Sequence, residues 1–374
     1  MSGIGLIVNP IAGMGGRVGL KGTDGRNVLA LARERGALPV AAERAERALL
    51  RLAGRSSGLR LVTAAGAMGA DLPAARSLDT EVLPSPGAGD AATTAADTRA
   101  AAAELARREV DLILFAGGDG TARDIQSVVG EQVPILGVPT GVKMHSGVFA
   151  TTPESAGEVA ASFMTSSSRR RVREAEVLDV DEEAVRAGTI ATRFFGAARV
   201  PDDRLRVQAG KVGAVPDDEV ALDAVCAALA DGLDPRRIAV LGPGTTMRRV
   251  MRNLELPKTL LGVDAVRAGR LLGADLSEDD LLDLLGDEPA TLLLGVVGGQ
   301  GAILGRGNQQ LSPAVVRRIG VENIEVVAGL RKLLALDPPL LRVDTGDPDL
   351  DRALCGYRRV HVAPRRTLVY RVAA

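Results

Sequence analysis

Apolar runs of strand length alternate with longer segments whose apolar residues recur on one side, and the alternation starts almost at once. Ile4 to Val8 is a continuous apolar run, the pattern of a strand buried on both faces, and it feeds a Gly-rich stretch. Val28 to Glu34 and Ala41 to Leu52 read as helices, the second with Arg and Glu on its solvent side. Leu59 to Ala65 is strand-like, Gly69 to Leu78 a short helix, Glu81 to Leu83 a short strand and Pro84 to Gly89 a loop. Asp90 to Arg108 is an Ala-rich helix. Asp111 to Ala116 and Val133 to Val138 are two further apolar strands, with a helix from Ala122 to Val129 between them. Repeated strand, loop and helix is the pattern of a parallel sheet with helices on both faces. Ligands in such folds sit at the C-terminal ends of strands, where the loops Gly13–Gly16, Gly117–Gly120 and Pro139–Lys143 fall.

Ser166-Ser167-Ser168-Arg169-Arg170-Arg171 breaks this pattern, small polar residues giving way to a basic run. The expected boundary lies there, giving an N-terminal α/β domain over 1–168 and a second domain over 169–374. The C-terminal segment of the second is a candidate to return onto the first. Arg173 to Val180 and Thr189 to Phe195 are strand-like, and Asp217 to Asp231 is a helix. Arg237 to Leu241 is a strand running into Gly242-Pro243-Gly244-Thr245-Thr246, with a helix from Met247 to Asn253 behind it. Leu260 to Asp264 reads as a short strand ending in an acid, and Glu278 to Leu285 as a helix. Ala290 to Val297 is a strand entering the Gly298–Gly301 loop. Ile324 to Ala328 and Leu340 to Val343 are strands around the helix Leu330 to Leu336, and Arg359 to Ala363 pairs with Thr367 to Val372. Residues 217–300 read as mixed α/β, and Val172 to Pro216 as the part most compatible with β structure.

Composition narrows the partners. The chain has 374 residues, with 47 acidic against 46 basic side chains and a formal net charge of −1, so no dominant footprint for nucleic acid is expected. With no Trp, two Tyr and five Phe, stacking platforms for single strands are not expected either. Cys226 and Cys355 are isolated, have no metal spacing and make no disulfide framework, which fits a reducing cytoplasm. The N-terminus enters a strand-like run directly and does not read as a signal peptide. The longest apolar runs, such as Ala290 to Val297, are far short of a membrane span.

The most informative stretch is Asp111 to Thr121. An apolar strand breaks into Gly117-Gly118-Asp119-Gly120-Thr121, and a helix follows. This arrangement aims backbone N–H groups and a helix N-terminus at phosphate oxygens. Asp119 is the odd part, because an acid beside a phosphate cradle repels its ligand unless it takes a proton from an attacking hydroxyl or works with Mg²⁺. The plainer reading makes Asp119 and Thr121 turn and cap residues, Thr121 and Asp124 having capping-box spacing. A helix N-terminus is expected to lower the Asp119 pKa. Asn9 with Gly13, Gly15 and Gly16 forms a second candidate phosphate loop, extended by Lys21 and Asp24, which can meet phosphate and ribose or simply be a solvated turn. Thr140, Gly141 and Lys143 follow the next strand, with Lys143 suited to offset developing charge. His145 stands without a second ligand at metal spacing, and packing or hydrogen bonding is its simpler role. Gly244, Thr245 and Thr246 suit a further phosphate or cap a helix. Asp264, Arg306, Asn308 and Gln309 can read polar edges of an acceptor or satisfy loops. Asp344 and Asp347 form a loop acid pair without clear metal spacing.

Gly117-Gly118-Asp119-Gly120-Thr121 resembles the GGDGT signature of NAD kinases, diacylglycerol and sphingosine kinases and, more loosely, phosphofructokinases. Ile4 to Pro10 with Ala12 to Gly16 resembles the opening of the ATP-NAD kinase superfamily. Gly137 to Ser146, Leu241 to Thr246, Gly298 to Gly301 and Gly305 to Gln310 resemble its AcoX-type branch. The resemblance runs over nearly the whole chain and is strongest over 1–25, 111–150 and 236–330. It implies an NAD kinase-like fold: a Rossmann-like parallel-sheet domain, plus a second domain that is mixed α/β or β-rich. It implies a cytoplasmic, self-associating kinase moving the γ-phosphoryl of ATP (or of polyphosphate), with Mg²⁺, to a ribose hydroxyl of NAD. Asp119 and Lys143 would be catalytic, and neither nucleic acid nor membrane would be a partner. Ordinary NAD kinases follow the signature with an Asn-Glu pair that holds the acceptor. Here the nearest match, Asn253-Leu254-Glu255, is interrupted and late. That departure keeps open a kinase for another hydroxylated metabolite, or a nucleotide sensor without turnover.

Overall fold

The computed structural model describes residues 3–20, 26–55, 58–84, 93–141, 144–165, 171–180, 192–203, 206–207, 216–297 and 301–374. Packing divides the chain into two units. The first comprises Met1–Met14, Gly22–Arg33 and Leu38–Gly210; the second comprises Gly15–Lys21, Glu34–Ala37 and Lys211–Ala374. The first unit therefore continues past the Ser166–Arg171 break.

In the first unit the chain runs β1 (Gly3–Val8), α1 (Arg26–Glu34), α2 (Ala41–Ala53), β2 (Arg60–Ala64), α3 (Pro73–Arg76), β3 (Asp79–Leu83), α4 (Ala95–Arg107) and β4 (Leu112–Gly117). It continues with α5 (Asp119–Val129), β5 (Ile135–Pro139), α6 (Pro153–Thr165), β6 (Val172–Val180) and β7 (Thr192–Pro201). Among the described residues, five strands form a parallel sheet in the order β3-β2-β1-β4-β5. Every residue of β1, β4 and β5 is buried. Such strands need cover on both faces, and the sequence supplies it as continuous apolar runs. The pair α2 and α6 packs on the sheet, as does the pair α4 and α5. Phe115 of β4 meets Phe149 edge-on with ring centroids 5.5 Å apart.

The strand order reverses between β1 and β4, which are neighbours in register from Ile4 opposite Leu112 to Val8 opposite Ala116. A crevice opens outside the carboxyl ends of two strands at such a switch point. β6 and β7 form a separate antiparallel ribbon with an irregularity at Val177 and Leu178, and it packs on α5, α6 and β5.

The second unit contains α7 (Pro216–Asp231), β8 (Ile238–Leu241), α8 (Thr245–Asn253), β9 (Asp264–Arg267), β10 (Arg270–Gly273), α9 (Glu278–Leu285), β11 (Ala290–Gly295) and β12 (Ala302–Leu304). Then follow α10 (Pro313–Ile319), β13 (Ile324–Val327), α11 (Leu330–Leu334), β14 (Leu340–Val343), α12 (Pro348–Leu354), β15 (Gly356–Ala363) and β16 (Arg366–Ala373). Its described strands form one mixed sheet in the order β10-β9-β8-β11-β13-β15-β16-β14-β12. Two parallel blocks, β8-β11-β13-β15 and β16-β14-β12, meet at the antiparallel β15–β16 hairpin. The mixed α/β reading of this half holds.

Several local expectations change. The helix expected over Gly69–Leu78 is a 3-10 turn at Gly66–Met68 followed by the single turn α3, because Pro73 restarts the helix at its first position. Asp264 begins a strand instead of ending one. Asp344 and Asp347 are not a metal pair: Asp347 caps α12 through Asp349 N and Leu350 N and pairs with Arg317 at 2.8 Å. That pairing, the Arg317 contact first, holds the Asp347 carboxyl down at about 2.

Candidate active site

The site is built where β1 and β4 end. Gly118 is extended, with φ −114° and ψ −166°, and is the N-cap of α5, so the helix starts at Asp119 itself. The N–H groups of Asp119, Gly120 and Thr121 then have no helix carbonyl to bond. The capping reading of Thr121 is thereby corrected. Thr121 lies inside the first turn, buried, because the two glycines before Asp119 let the helix begin earlier.

Asn9, the residue after β1, reaches across. Its Nδ2 donates to Thr121 Oγ1 at 3.0 Å, its N–H donates to Ala116 O at 2.9 Å, and its Oδ1 accepts Ile11 N at 3.3 Å. One side chain thus fixes both loops of the switch point. Two glycines are required by close approach. A Cβ on Gly117 would stand 2.5 Å from Thr121 Cβ, and one on Gly13, at φ +81°, would stand 2.1 Å from Thr140 O.

Asp119 is only 3% exposed. His145 N donates to its Oδ2 at 2.6 Å, while Ser146 N at 3.0 Å and Ser146 Oγ at 2.6 Å donate to its Oδ1. Burial pushes its pKa up to about 7, the three donors pull it down by less, and Asp179 adds a smaller upward push. The direction is therefore opposite to the lowered pKa expected: desolvation outweighs the hydrogen bonds from His145 and Ser146. Such a carboxyl is poised near neutrality, as a proton acceptor should be.

A carboxylate has about four lone-pair positions. Among the described residues three are taken here, which leaves one, on Oδ2. This donor set does not suit Mg²⁺, which takes an open carboxylate along with waters and phosphates. Among the described residues no group of three His, Cys, Asp or Glu side chains comes together for a metal either.

Thr140 follows β5, and its Oγ1 is buried without a hydrogen-bond partner among the described residues. A buried hydroxyl left unpaired is costly unless a ligand completes it. Thr140 N and Gly141 N both donate to Gly117 O, at 3.2 and 3.3 Å. His145 contributes its backbone N–H to the site, as described. Lys143, Lys21 and Asp24 lie outside the described residues. Two residues that linear spacing did not single out belong here. Ser146 comes 27 residues after Asp119, and Arg44 on α2 donates to the Pro139 carbonyl at the end of β5. Only a serine and an arginine flagged as facing strand ends would have signalled them.

The remaining candidates lie in the second unit. Gly15 and Gly16 group with it, and a Cβ on Gly16 would meet Gln309 Cβ at 2.8 Å. Gly244 is the N-cap of α8, so Thr245 and Thr246 lie in the first turn and neither caps it, because Gly244 takes the non-helical conformation. Arg249, on the same helix, is engaged by Glu219 and Asp223.

Asp264 is fully buried. It accepts Thr259 N and Asp275 N, both at 2.8 Å, and the Thr259 hydroxyl, and it pairs with the equally buried Lys258 at 3.2 Å. Its lone pairs are used by its own loops. Asn308 accepts Gly305 N at 2.9 Å and donates to Ile303 O at 2.9 Å, so it staples the turn after β12. Arg306 is buried in that same turn. Gln310 Oε1, close by in sequence, is buried with no partner among the described residues.

The fold and site define a two-unit α/β protein. At the switch point lie the free backbone amides of the first turn of α5, a Thr140 hydroxyl that has no partner among the described residues, and the Asp119 carboxyl held near neutrality. Comparison with known families agrees and is more specific. Residues 4–167 match the ATP-NAD kinase N-terminal domain and residues 236–372 the ATP-NAD kinase C-terminal domain. The chain belongs to the ATP-NAD kinase family. No curated protein and no solved structure matches it. Among the described residues no helix is long and apolar enough to cross a membrane.

Proposed function

We propose that this protein transfers the γ-phosphoryl group of ATP to a ribose hydroxyl of NAD. The observation that carries the reading is Asp119, a buried carboxyl held near pKa 7 at the start of α5, with one lone-pair position left on Oδ2. The acceptor hydroxyl gives its proton to Asp119 as its oxygen forms the bond to the γ-phosphorus. The bond from that phosphorus to the β-phosphate oxygen breaks, and ADP leaves with the electron pair. The α5 amides, the Asn9–Thr121 bridge and Thr140 Oγ1 position phosphate oxygens. Lys143 is the candidate for offsetting charge on the transferring group. Mg²⁺ enters with ATP as the donor complex, and polyphosphate is the alternative donor. A cytoplasmic homo-oligomer of the AcoX-type branch accords with the motifs quoted above.

One observation favours a second reading. No Asn-Glu pair follows the Asp119 loop, and Asn253 is exposed, its Nδ2 spent on Arg249 O at 2.8 Å. The dinucleotide-holding group of ordinary NAD kinases is therefore missing, which suits another small hydroxylated metabolite as acceptor. Incubation with ATP, Mg²⁺ and either NAD or a metabolite panel, read by mass, separates the two. Tight nucleotide binding without any product would mark a sensor.

A further inference from the structure

The Ser146 hydroxyl has one proton and two acceptors. Its Oγ lies 2.6 Å from Asp119 Oδ1 and 2.8 Å from Leu178 O, and it accepts Leu178 N at 2.9 Å. Next to it, Gly147 N donates to Glu176 O at 2.9 Å. Ser146 and Gly147 thus line the edge of β6 that faces away from β7, and the serine side chain supplies the pairing a neighbouring strand would give Leu178.

A hydroxyl donates to one acceptor at a time. When Asp119 is ionised, its proton goes to the charged Oδ1, because a charge-assisted bond is about twice as strong as a neutral one. When Asp119 is neutral that preference disappears, and the proton turns to Leu178 O. A carboxyl proton on Oδ1 then completes the set by donating to Oγ. Among the described residues the charged group that acts on the carboxyl is Asp179, the residue after Leu178, and Asp179 pairs with Arg123 of α5 at 2.7 Å. Arg123 and Arg193 of β7 both stack on Phe195, with 5.3 and 5.4 Å to the ring centroid. This arrangement ties Asp179 to Arg123, and among the described residues Ser146 is the side chain that donates a hydrogen bond to Asp119.

We propose that Ser146 is a positioning residue of the transfer step: its hydroxyl swings between Leu178 O and Asp119 Oδ1, and it sets the pH at which Asp119 becomes a base. The inference rests on the phosphoryl-transfer reading for its role in catalysis, but the proton switch itself does not need turnover.

The test is the titration of the Asp119 carboxyl, followed by carbon-13 NMR of aspartate-labelled full-length protein, its signal assigned by its absence in Asp119→Asn. Ser146→Ala removes the donor to the ionised form, so the midpoint should rise by about one pH unit. Ser146→Thr keeps a hydroxyl and should restore it. Ser146→Cys, a weak donor, should move it in the same direction as alanine. The acid limb of kcat/KM should move with the midpoint. A midpoint unchanged in folded Ser146→Ala and Ser146→Cys overturns the inference, whatever happens to kcat. Absence of any phosphorylated NAD from the parent protein would instead count against the acceptor, and the titration would still decide the role of Ser146.

Discussion

Asn9 Nδ2 donates to Thr121 Oγ1 across 112 residues of sequence, at 3.0 Å. The bond joins the loop after β1 to the first turn of α5, so it holds together the two sides of the switch-point crevice. Asn9→Ala deletes the donor and leaves the amide N–H groups of α5 in place. We expect the KM for ATP to rise roughly ten-fold, corresponding to about 1.4 kcal/mol. kcat should change less, and a steady-state titration of ATP at fixed acceptor checks this.

The raised pKa of Asp119 sets a pH dependence with a definite sign. As a base the group works ionised, so kcat/KM should climb with pH and level off above about 7. Stability should run the other way. The folded protein binds this proton more tightly than the unfolded chain, where an aspartate has its ordinary value of 3.8, so stability is lost as pH rises from about 4 to about 7. The full loss is on the order of 4 kcal/mol, at about 1.36 kcal/mol per pH unit. Asp119→Asn abolishes the slope and should melt higher than the parent at pH 8. Thermal melts of both proteins from pH 5 to 8 provide the comparison.

Gly117 has no room for a side chain. A Cβ there would stand 2.5 Å from both Thr121 Cβ and Thr121 Oγ1, at the point where strand becomes helix. Gly117→Ala should cost about 1–3 kcal/mol in overpacking and displace Thr121 from Asn9. Urea unfolding and the loss of ATP binding should report the same variant together.

In the second unit the Lys258–Asp264 pair is completely buried, at 3.2 Å. Asp264→Ala strands the ammonium and should destabilise by about 3–5 kcal/mol. Lys258→Met combined with Asp264→Leu removes both charges and should cost less than the single change, even though it also removes the acceptor of Thr259 N and Asp275 N. Amide hydrogen exchange in β9 and β8 would separate these outcomes from effects on the first unit.

How far the sequence speaks depends on the range of the forces involved. β1 and β4 were legible because strands covered on both faces must be apolar along their length, and Ile4–Val8 and Leu112–Ala116 are. The GGDGT loop was legible because glycines at a strand-to-helix junction have few other uses. The pKa of Asp119 was not, because it is set by burial and by Ser146 and Asp179, which only the folded chain brings near. Three helices for which apolar periodicity gives no clear sign are Pro153–Thr165, Pro313–Ile319 and Pro348–Leu354. Each starts with proline behind a polar residue whose side chain accepts a backbone N–H. Thr152 Oγ1 takes Ser155 N, Ser312 Oγ takes Val315 N, and Asp347 takes Leu350 N. That cap-then-proline signal is local and lies in the sequence itself. The roles of Asp264 and Asn308, by contrast, are fixed by loops that close only in three dimensions.

The most direct test is turnover with ATP, Mg²⁺ and NAD, read as phosphorylated dinucleotide by mass, in the parent protein and in Asp119→Asn. The account predicts product from the parent and a fall of roughly 10²–10⁴-fold in the variant, with nucleotide binding retained. Phosphorylated NAD formed equally well without the Asp119 carboxylate would contradict it, and so would bound ATP that never phosphorylates the dinucleotide.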